Sequence, residues 1–257
     1  MTQSPATPAQ ESLTPENAVR LREQLGSRFA KTRKLALQTL LVQGEPGWRI
    51  LQETLLAESQ GTITWLSGSI ERALRGSAQG SDENSAESLA QNSSQVCAFL
   101  HEHFPQGVVP LVSERGIDYT DLQAMLLAED YLGADRLTNL KLCELAGPVA
   151  EKRKWVYFSD VPQFPVADLK TLDLLWQVYS GGNFGFSVQR ELWLGVDQRW
   201  EQLWPKIGWK EGNKWTRYPE GFTWDLSAPR GHLPLFNQLR GVRVMDALMN
   251  HPAFAQG

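Results

Sequence analysis

The chain has 257 residues, 42% hydrophobic and 21% charged, enough apolar mass to bury one large core or two smaller ones. A formal net charge of −4 at pH 7 argues against nucleic acid as a partner. No apolar run approaches the ~20 residues that a membrane-spanning helix needs.

The N-terminus, MTQSPATPAQE, has neither the basic nor the apolar region of a secretory signal, so a cytoplasmic protein is expected. Cys97 and Cys143 are far apart and outside any CxxC pair, and read as two reduced core thiols. Residues 1–12 are polar and Pro-containing, and are expected to form a disordered tail. Thr14-Pro15-Glu16 is a helix start: hydroxyl cap, proline at the first position, acid in the first turn. Helical pieces follow, with apolar residues recurring at Val19, Leu25 and Phe29, at Leu37, Leu40 and Leu41, and at Leu51, Leu55 and Leu56. Gly44-Glu45-Pro46-Gly47 and Gln60-Gly61-Thr62 separate them. Such pieces resemble a helical repeat scaffold or a small bundle.

The stretch GSAQGSDENSAESLAQNSSQ, residues 76–95, is small, polar and Ser-rich, as a linker or a solvated helix is. The expected organisation is therefore a tail at 1–12, an N-terminal helical domain at 13–80, a linker region at 81–95 and a core domain at 96–257. Within the core, a helix near Gln95–Phe104 leads to an irregular VVPLVSERG connection. Asp118 caps a helix carrying Leu122, Met125 and Leu126; the next presents Leu132, Leu137 and Leu140 on one side and stops at Gly147-Pro148. From Pro165, Leu169, Leu172, Trp176 and Tyr179 recur in steps of three and four, and Gly181-Gly182 ends that helix. Helices over Ser187–Leu194 and through Trp200, Leu203, Trp204 and Ile207 follow, then mostly loop over 208–235 with at most a short hairpin. The fold class is all-α.

Eight of the ten tryptophans lie between Trp155 and Trp224, with five phenylalanines and three tyrosines, denser than packing alone requires. Trp176, Trp193 and Trp204 fall on helical stripes and are assigned to the core. Tyr218 and Phe222, in WTRYPEGFTW, sit among Gly and Pro where no packed helix face buries them, and are candidates to line a site. Between Lys206 and Arg243 seven basic side chains face three acids, a local cationic region that suits an anionic ligand. In NQLRGVRV, Arg240 and Arg243 are three apart, with Asn237 three residues before and apolar Leu239, Val242 and Val244 between. On a helix the two guanidinium groups share a face. That pattern fits a flat apolar molecule with carboxylates at its edge.

Catalytic patterns are lacking: no Ser/His/Asp order, no paired carboxylates, no HExxH. His101 and His103 are two apart and would point to different faces of a helix; no metal site is assigned. His232 is expected to hydrogen-bond backbone in a turn. The glycines of SGGNFGFS lack phosphate-loop spacing and its lysine, and are expected to end one helix and begin the next.

The run DLLWQVYSGGNFGFSVQRELW, followed by WPKIGW, GFTWDLSAPRGHLP and NQLRGVRV, resembles the genomes-uncoupled family of porphyrin-binding regulators of magnesium chelatase, over about residues 115–250. The first 90 residues look like the helical domain that cyanobacterial members place ahead of the core, and without a plastid transit peptide the chain looks cyanobacterial in type. The resemblance implies a cupped, all-helical core that binds protoporphyrin IX and Mg-protoporphyrin IX and catalyses nothing by itself. It also implies stimulation of magnesium chelatase in chlorophyll biosynthesis, with that enzyme's large porphyrin-binding subunit as partner, and peripheral association with the photosynthetic membrane. Motif by motif, Arg240, Arg243 and Asn237 match the polar side of the porphyrin site and Phe222 and Tyr218 its greasy loop. Val149 and Phe158 match the opposite wall. Tyr218 departs from the tryptophan of some relatives, which leaves an aromatic of smaller area. The alternative from another class is a helical adaptor binding only proteins through its aromatics.

Overall fold

The computed structural model describes residues 13–27, 29–79, 86–236 and 242–255. The expected tail at 1–12 lies outside them, as do Asn237 and Arg240. Among the described residues there are thirteen α-helices, one short 3-10 turn and a single two-stranded hairpin, so the all-α expectation holds. None of these helices is long and apolar enough to cross a membrane. The chain divides into two compact units, Met1–Thr62 with Ile70–Pro105, and Ile63–Ser69 with Gln106–Gly257.

In the first unit, α1 (Pro15–Leu25) begins as expected: Thr14 Oγ1 accepts the Asn17 N–H at 3.3 Å, with Pro15 at the first position. Next come α2 (Ala30–Val42) and α3 (Glu45–Ser59), separated at Gly44, whose φ of +65° suits glycine. A Cβ on Gly47 would stand 1.9 Å from the Leu40 carbonyl oxygen, so its absence lets α3 lie against the α2 backbone. The part of α4 (Trp65–Gln79) from Ile70 onward and α5 (Ala86–His103) complete the helices of this unit. Leu25, Leu40, Leu51, Leu55, Ile70 and Leu74 form the core, while Val19 and Phe29 of the apolar repeat are exposed. The composition break behaves differently from a linker over most of its length. Ala86–His103 is one continuous helix, and the first unit extends to Pro105. Small polar residues occur in loops and in solvent-facing helices alike, so composition alone does not separate the two. Cys97, expected in the core, is exposed; Cys143 is buried, and both are free thiols.

The second unit is built on α9 (Val166–Tyr179), whose stripe Leu169, Leu172, Trp176 and Tyr179 is entirely buried, as its spacing required. α6 (Thr120–Leu127), α7 (Tyr131–Ala146) and α8 (Pro148–Arg153) precede it. Trp176 Nε1 donates to Thr138 Oγ1 at 3.0 Å, tying α9 to α7. Asp118 does not occupy the cap position of α6, which Tyr119 takes, but its Oδ1 accepts the Thr120 N–H at 2.8 Å. The irregular 108–119 connection is fastened by a carboxylate that sequence alone did not single out. Buried Asp168 accepts from the Ser113 hydroxyl (2.5 Å), the Glu114 N–H (2.9 Å) and the Tyr119 hydroxyl (2.9 Å). Gly181 and Gly182 end α9 with φ of +64° and +80°, and Gly185 begins α10 (Phe186–Leu194), the punctuation role expected of them.

Beyond α10 run α11 (Trp200–Lys206), the hairpin β1 (Lys210–Glu211) and β2 (Lys214–Trp215), α12 (Arg243–Met249) and α13 (Pro252–Ala255). The tryptophan density has a packing explanation here. Trp193, Trp200, Trp204 and Trp209 stack in sequence, with centroids 4.8, 5.1 and 5.5 Å apart. The α7 stripe is shifted from the expected one. Its buried face is Tyr131, Asp135, Thr138, Leu142 and Leu145, and Leu140 points outward.

Candidate functional site

A cavity of about 1150 Å³ opens in the second unit. One wall is α7, with Asp135, Arg136, Asn139 and Leu140. A second follows α8, where Lys154 adopts φ of +58° and turns the chain so that residues 155–158 run along the cavity. Arg153 organises that wall from outside. Its Nε donates to the Trp155 carbonyl at 2.6 Å, it pairs with Asp160, and its guanidinium lies 4.0 Å from the Tyr157 ring centroid and 5.0 Å from that of Trp155. The third wall is the loop after β2, carrying Arg217, Tyr218 and Phe222, and the rest comes from Leu235, Phe236 and the start of α12.

The 216–224 loop holds its shape through its own backbone and one histidine. Gly221 N–H donates to the Arg217 carbonyl at 2.8 Å and Trp224 Nε1 to the Pro219 carbonyl at 2.9 Å. His232 is buried behind it. Its Nε2 accepts the Thr223 N–H at 3.2 Å, so Nδ1 carries the proton and donates to the Ile207 carbonyl at 2.6 Å. Burial lowers its pKa, the bond to Ile207 opposing, which keeps the ring neutral. This is the backbone-bonding role expected of it. It also backs Phe222, whose ring centroid lies 5.3 Å away.

Asp135, 1% exposed, is the one carboxyl among the described lining residues, beside four cations: Arg136, Lys154, Arg217 and Arg243. Its Oδ1 accepts the Leu235 N–H at 2.6 Å. Burial pushes its pKa up to about 7, against the opposing pull of that hydrogen bond and of Arg136. Near neutral pH much of its charge is therefore absent, and the cavity is cationic with aromatic walls. Such a surface binds flat apolar anions, with rings supplying contact area and guanidinium groups orienting carboxylates.

Four of the seven residues singled out in sequence meet at this cavity: Tyr218 (49% exposed), Phe222 (6%), Phe158 (44%) and Arg243, whose guanidinium carbon is 5.3 Å from the Phe158 centroid. Phe222 is more buried than its Gly/Pro-rich surroundings suggested, because His232 and Trp224 pack against it. Val149 is 72% exposed on α8 and is not among the lining residues. Asn237 and Arg240 lie outside the described residues. Sequence reasoning missed Asp135 and Arg136, and left Trp155 and Tyr157 unplaced. One signal was available: Asp135 occupies the buried stripe of α7 at helical spacing from Tyr131 and Thr138, where an acid is out of place unless it has a task.

A family model described as GUN4-like matches residues 112–252, and another, described as ARM-like repeat domain, GUN4-N terminal, matches residues 9–105. The chain is 46% identical over 242 residues to a Ycf53-like protein of Synechocystis, covering 94% of this chain and 98% of that one. It is 36% identical over 143 residues to a protein of Arabidopsis thaliana named tetrapyrrole-binding protein, chloroplastic, covering 52% of this chain and 54% of that one. Among solved structures, GUN4 from Chlamydomonas reinhardtii superposes with a TM-score of 0.54 at 44% identity, covering 57% of this chain and 95% of that chain. Ligand-free GUN4 of Arabidopsis thaliana gives 0.51 at 36% identity, covering 55% and 99%.

Proposed function

The chain belongs to the GUN4-like family, in its cyanobacterial form, and on that premise we propose that it is a noncatalytic carrier of protoporphyrin IX and Mg-protoporphyrin IX that stimulates magnesium chelatase in chlorophyll biosynthesis. The observation that carries the reading is the cavity: about 1150 Å³, walled by Trp155, Tyr157, Phe158, Tyr218 and Phe222, with Arg243 at the start of α12. That volume lies just above the usual range of about 300–1,000 Å³ for small-molecule sites and suits a macrocycle. Burying roughly 300 Å² of ring at ~25 cal/mol/Å² gives about 7 kcal/mol gross. Association entropy offsets several of these, so burial of the ring alone falls short of the ~8 kcal/mol that micromolar binding needs, and the guanidinium–propionate contacts must add to it.

In this reading Arg243, with Arg240, holds the two propionates, and the aromatic walls supply most of the affinity. The magnesium of the metallated ligand, a hard cation, prefers an oxygen donor, for which Asn237 or a water is the candidate. The chelatase's large porphyrin-binding subunit is the proposed protein partner, with peripheral attachment to the photosynthetic membrane. Titration with protoporphyrin IX while following tryptophan fluorescence tests the reading. Saturable quenching is expected, since Trp155 lines the cavity. Its absence would leave the protein-only adaptor. Incubation of the purified chain with porphyrin, magnesium and ATP should leave the ring unmetallated; conversion without chelatase subunits would make it an enzyme.

A further inference from the structure

The most informative tie at the cavity comes from a residue with no assigned role. Arg136, on the solvent side of α7, donates through Nε to the Tyr218 hydroxyl at 3.2 Å, across 82 residues of chain. Tyr218 belongs to a loop whose other attachments are on its far side: the internal bonds of residues 217–224, and His232 behind Phe222 and Thr223. Its ring contacts Trp224 edge-on at 5.8 Å and Phe222 at 6.4 Å, both within the same loop, so the bond from Arg136 is its tie to α7. α7, by contrast, is rigidly seated. Thr138 accepts from Trp176, and Asp135 and Asn139 hold the backbone N–H and carbonyl of Leu235.

We infer that Arg136 is a positioning residue of the ligand site: it fixes Tyr218 from the opposite wall so that the phenol ring is preset as a stacking surface at the cavity. The inference rests on the tetrapyrrole reading above. A guanidinium is suited to the task, because its planar fork is pre-organised for hydrogen bonding and cannot be neutralised. Presetting a half-exposed ring removes part of the ordering cost that binding would otherwise meet. Arg136 thus acts through Tyr218, whereas Arg243 is placed to meet the ligand itself.

The test compares wild type, Arg136→Gln, Arg136→Lys, Tyr218→Phe and the double variant Arg136→Gln/Tyr218→Phe in titrations with protoporphyrin IX. Affinity and the induced circular dichroism of the bound porphyrin are both read. Arg136→Gln and Tyr218→Phe are each expected to weaken binding by about threefold to tenfold, as loss of one charge-assisted hydrogen bond does, and to alter the induced signal alike. The double variant should be no weaker than the poorer single one, and Arg136→Lys, which can still donate to the phenol, should recover most of the loss. Wild-type affinity in Arg136→Gln overturns the inference. So do losses that multiply in the double variant, which would make Arg136 a direct ligand contact. Should Arg136→Gln fold poorly, Tyr218→Phe carries the test, and an unchanged affinity there is equally fatal. Failure of wild type itself to bind porphyrin would instead remove the tetrapyrrole reading.

Discussion

Two groups of aromatic rings sit in the same unit and behave in opposite ways. Trp193, Trp200, Trp204 and Trp209 form a stacked ladder, with three of their four rings nearly fully buried and neighbouring planes 27°, 19° and 7° apart. Trp155, Tyr157, Phe158 and Tyr218 line a void instead. They meet at steep angles or through cations, and Tyr157, Phe158 and Tyr218 keep more than two fifths of their surface exposed. The first group has satisfied its contacts within the chain. The second is met by Arg153, Arg243 and Arg136 without being covered. A count of aromatic residues merges the two; what separates them is whether a charged side chain is needed to hold the ring where it is.

Breaking the ladder should have the largest effect. Trp204→Ala leaves an indole-sized hole between Trp200 and Trp209 and should cost about 3–5 kcal/mol, read as a lower midpoint in denaturant. An unshifted midpoint would mean that the stack is not core. His232→Ala comes next, because it strands the Thr223 N–H and Ile207 carbonyl; a loss of about 3 kcal/mol is expected, together with weaker porphyrin binding as Phe222 loses its backing. Since burial lowers the His232 pKa, the unfolded chain takes up this proton first as pH falls below 6.5, and the stability of wild type relative to His232→Ala should decline there.

Asp135 gives the opposite slope. Its folded pKa of about 7 exceeds the ordinary 3.8, so the folded state binds more protons between those values. The stability this contributes is complete below pH 3.8 and is lost as pH rises through 7. Asp135→Asn retains an acceptor for the Leu235 N–H and cannot ionise. It should exceed wild type by on the order of 2 kcal/mol at pH 8, the unpaired part of the amide offsetting the rest, and match it near pH 5. Parallel stability profiles for the two proteins from pH 5 to 8 would refute this. The smallest effect on stability belongs to Arg243→Ala, an exposed side chain at the start of α12. Its melting temperature should be nearly that of wild type while porphyrin affinity drops about tenfold. A melting shift without an affinity change would move Arg243 from the site to the fold.

Much of the scaffold was legible because helices advertise themselves locally. The Thr14 cap, the Leu169–Tyr179 stripe and the glycines after α9 each follow from contacts within a few residues along the chain. Four of the cavity's lining residues were singled out as well, Tyr218 and Phe222 as loop aromatics, Arg243 in a conspicuous motif and Phe158 through the resemblance alone. Arg136 and Asp135 were not. Within α7 they are an ordinary charged pair, and they acquire a role only from Tyr218, 82 residues on, and Leu235, 100 residues on. Val149 shows the converse: placed by motif beside Phe158, it ends exposed on α8, because the left-handed turn at Lys154 directs the following residues, and not the helix before it, toward the cavity.

The amino-acid order by itself determined most of the helices, several of their ends and the rings available to a ligand, since periodicity, capping and turn chemistry act over one or two turns. Only the tertiary structure decided which rings stack into core and which face a void, and which buried acid gives up its charge. Those outcomes depend on burial and on partners brought together from far along the chain, and neither is written in any local pattern.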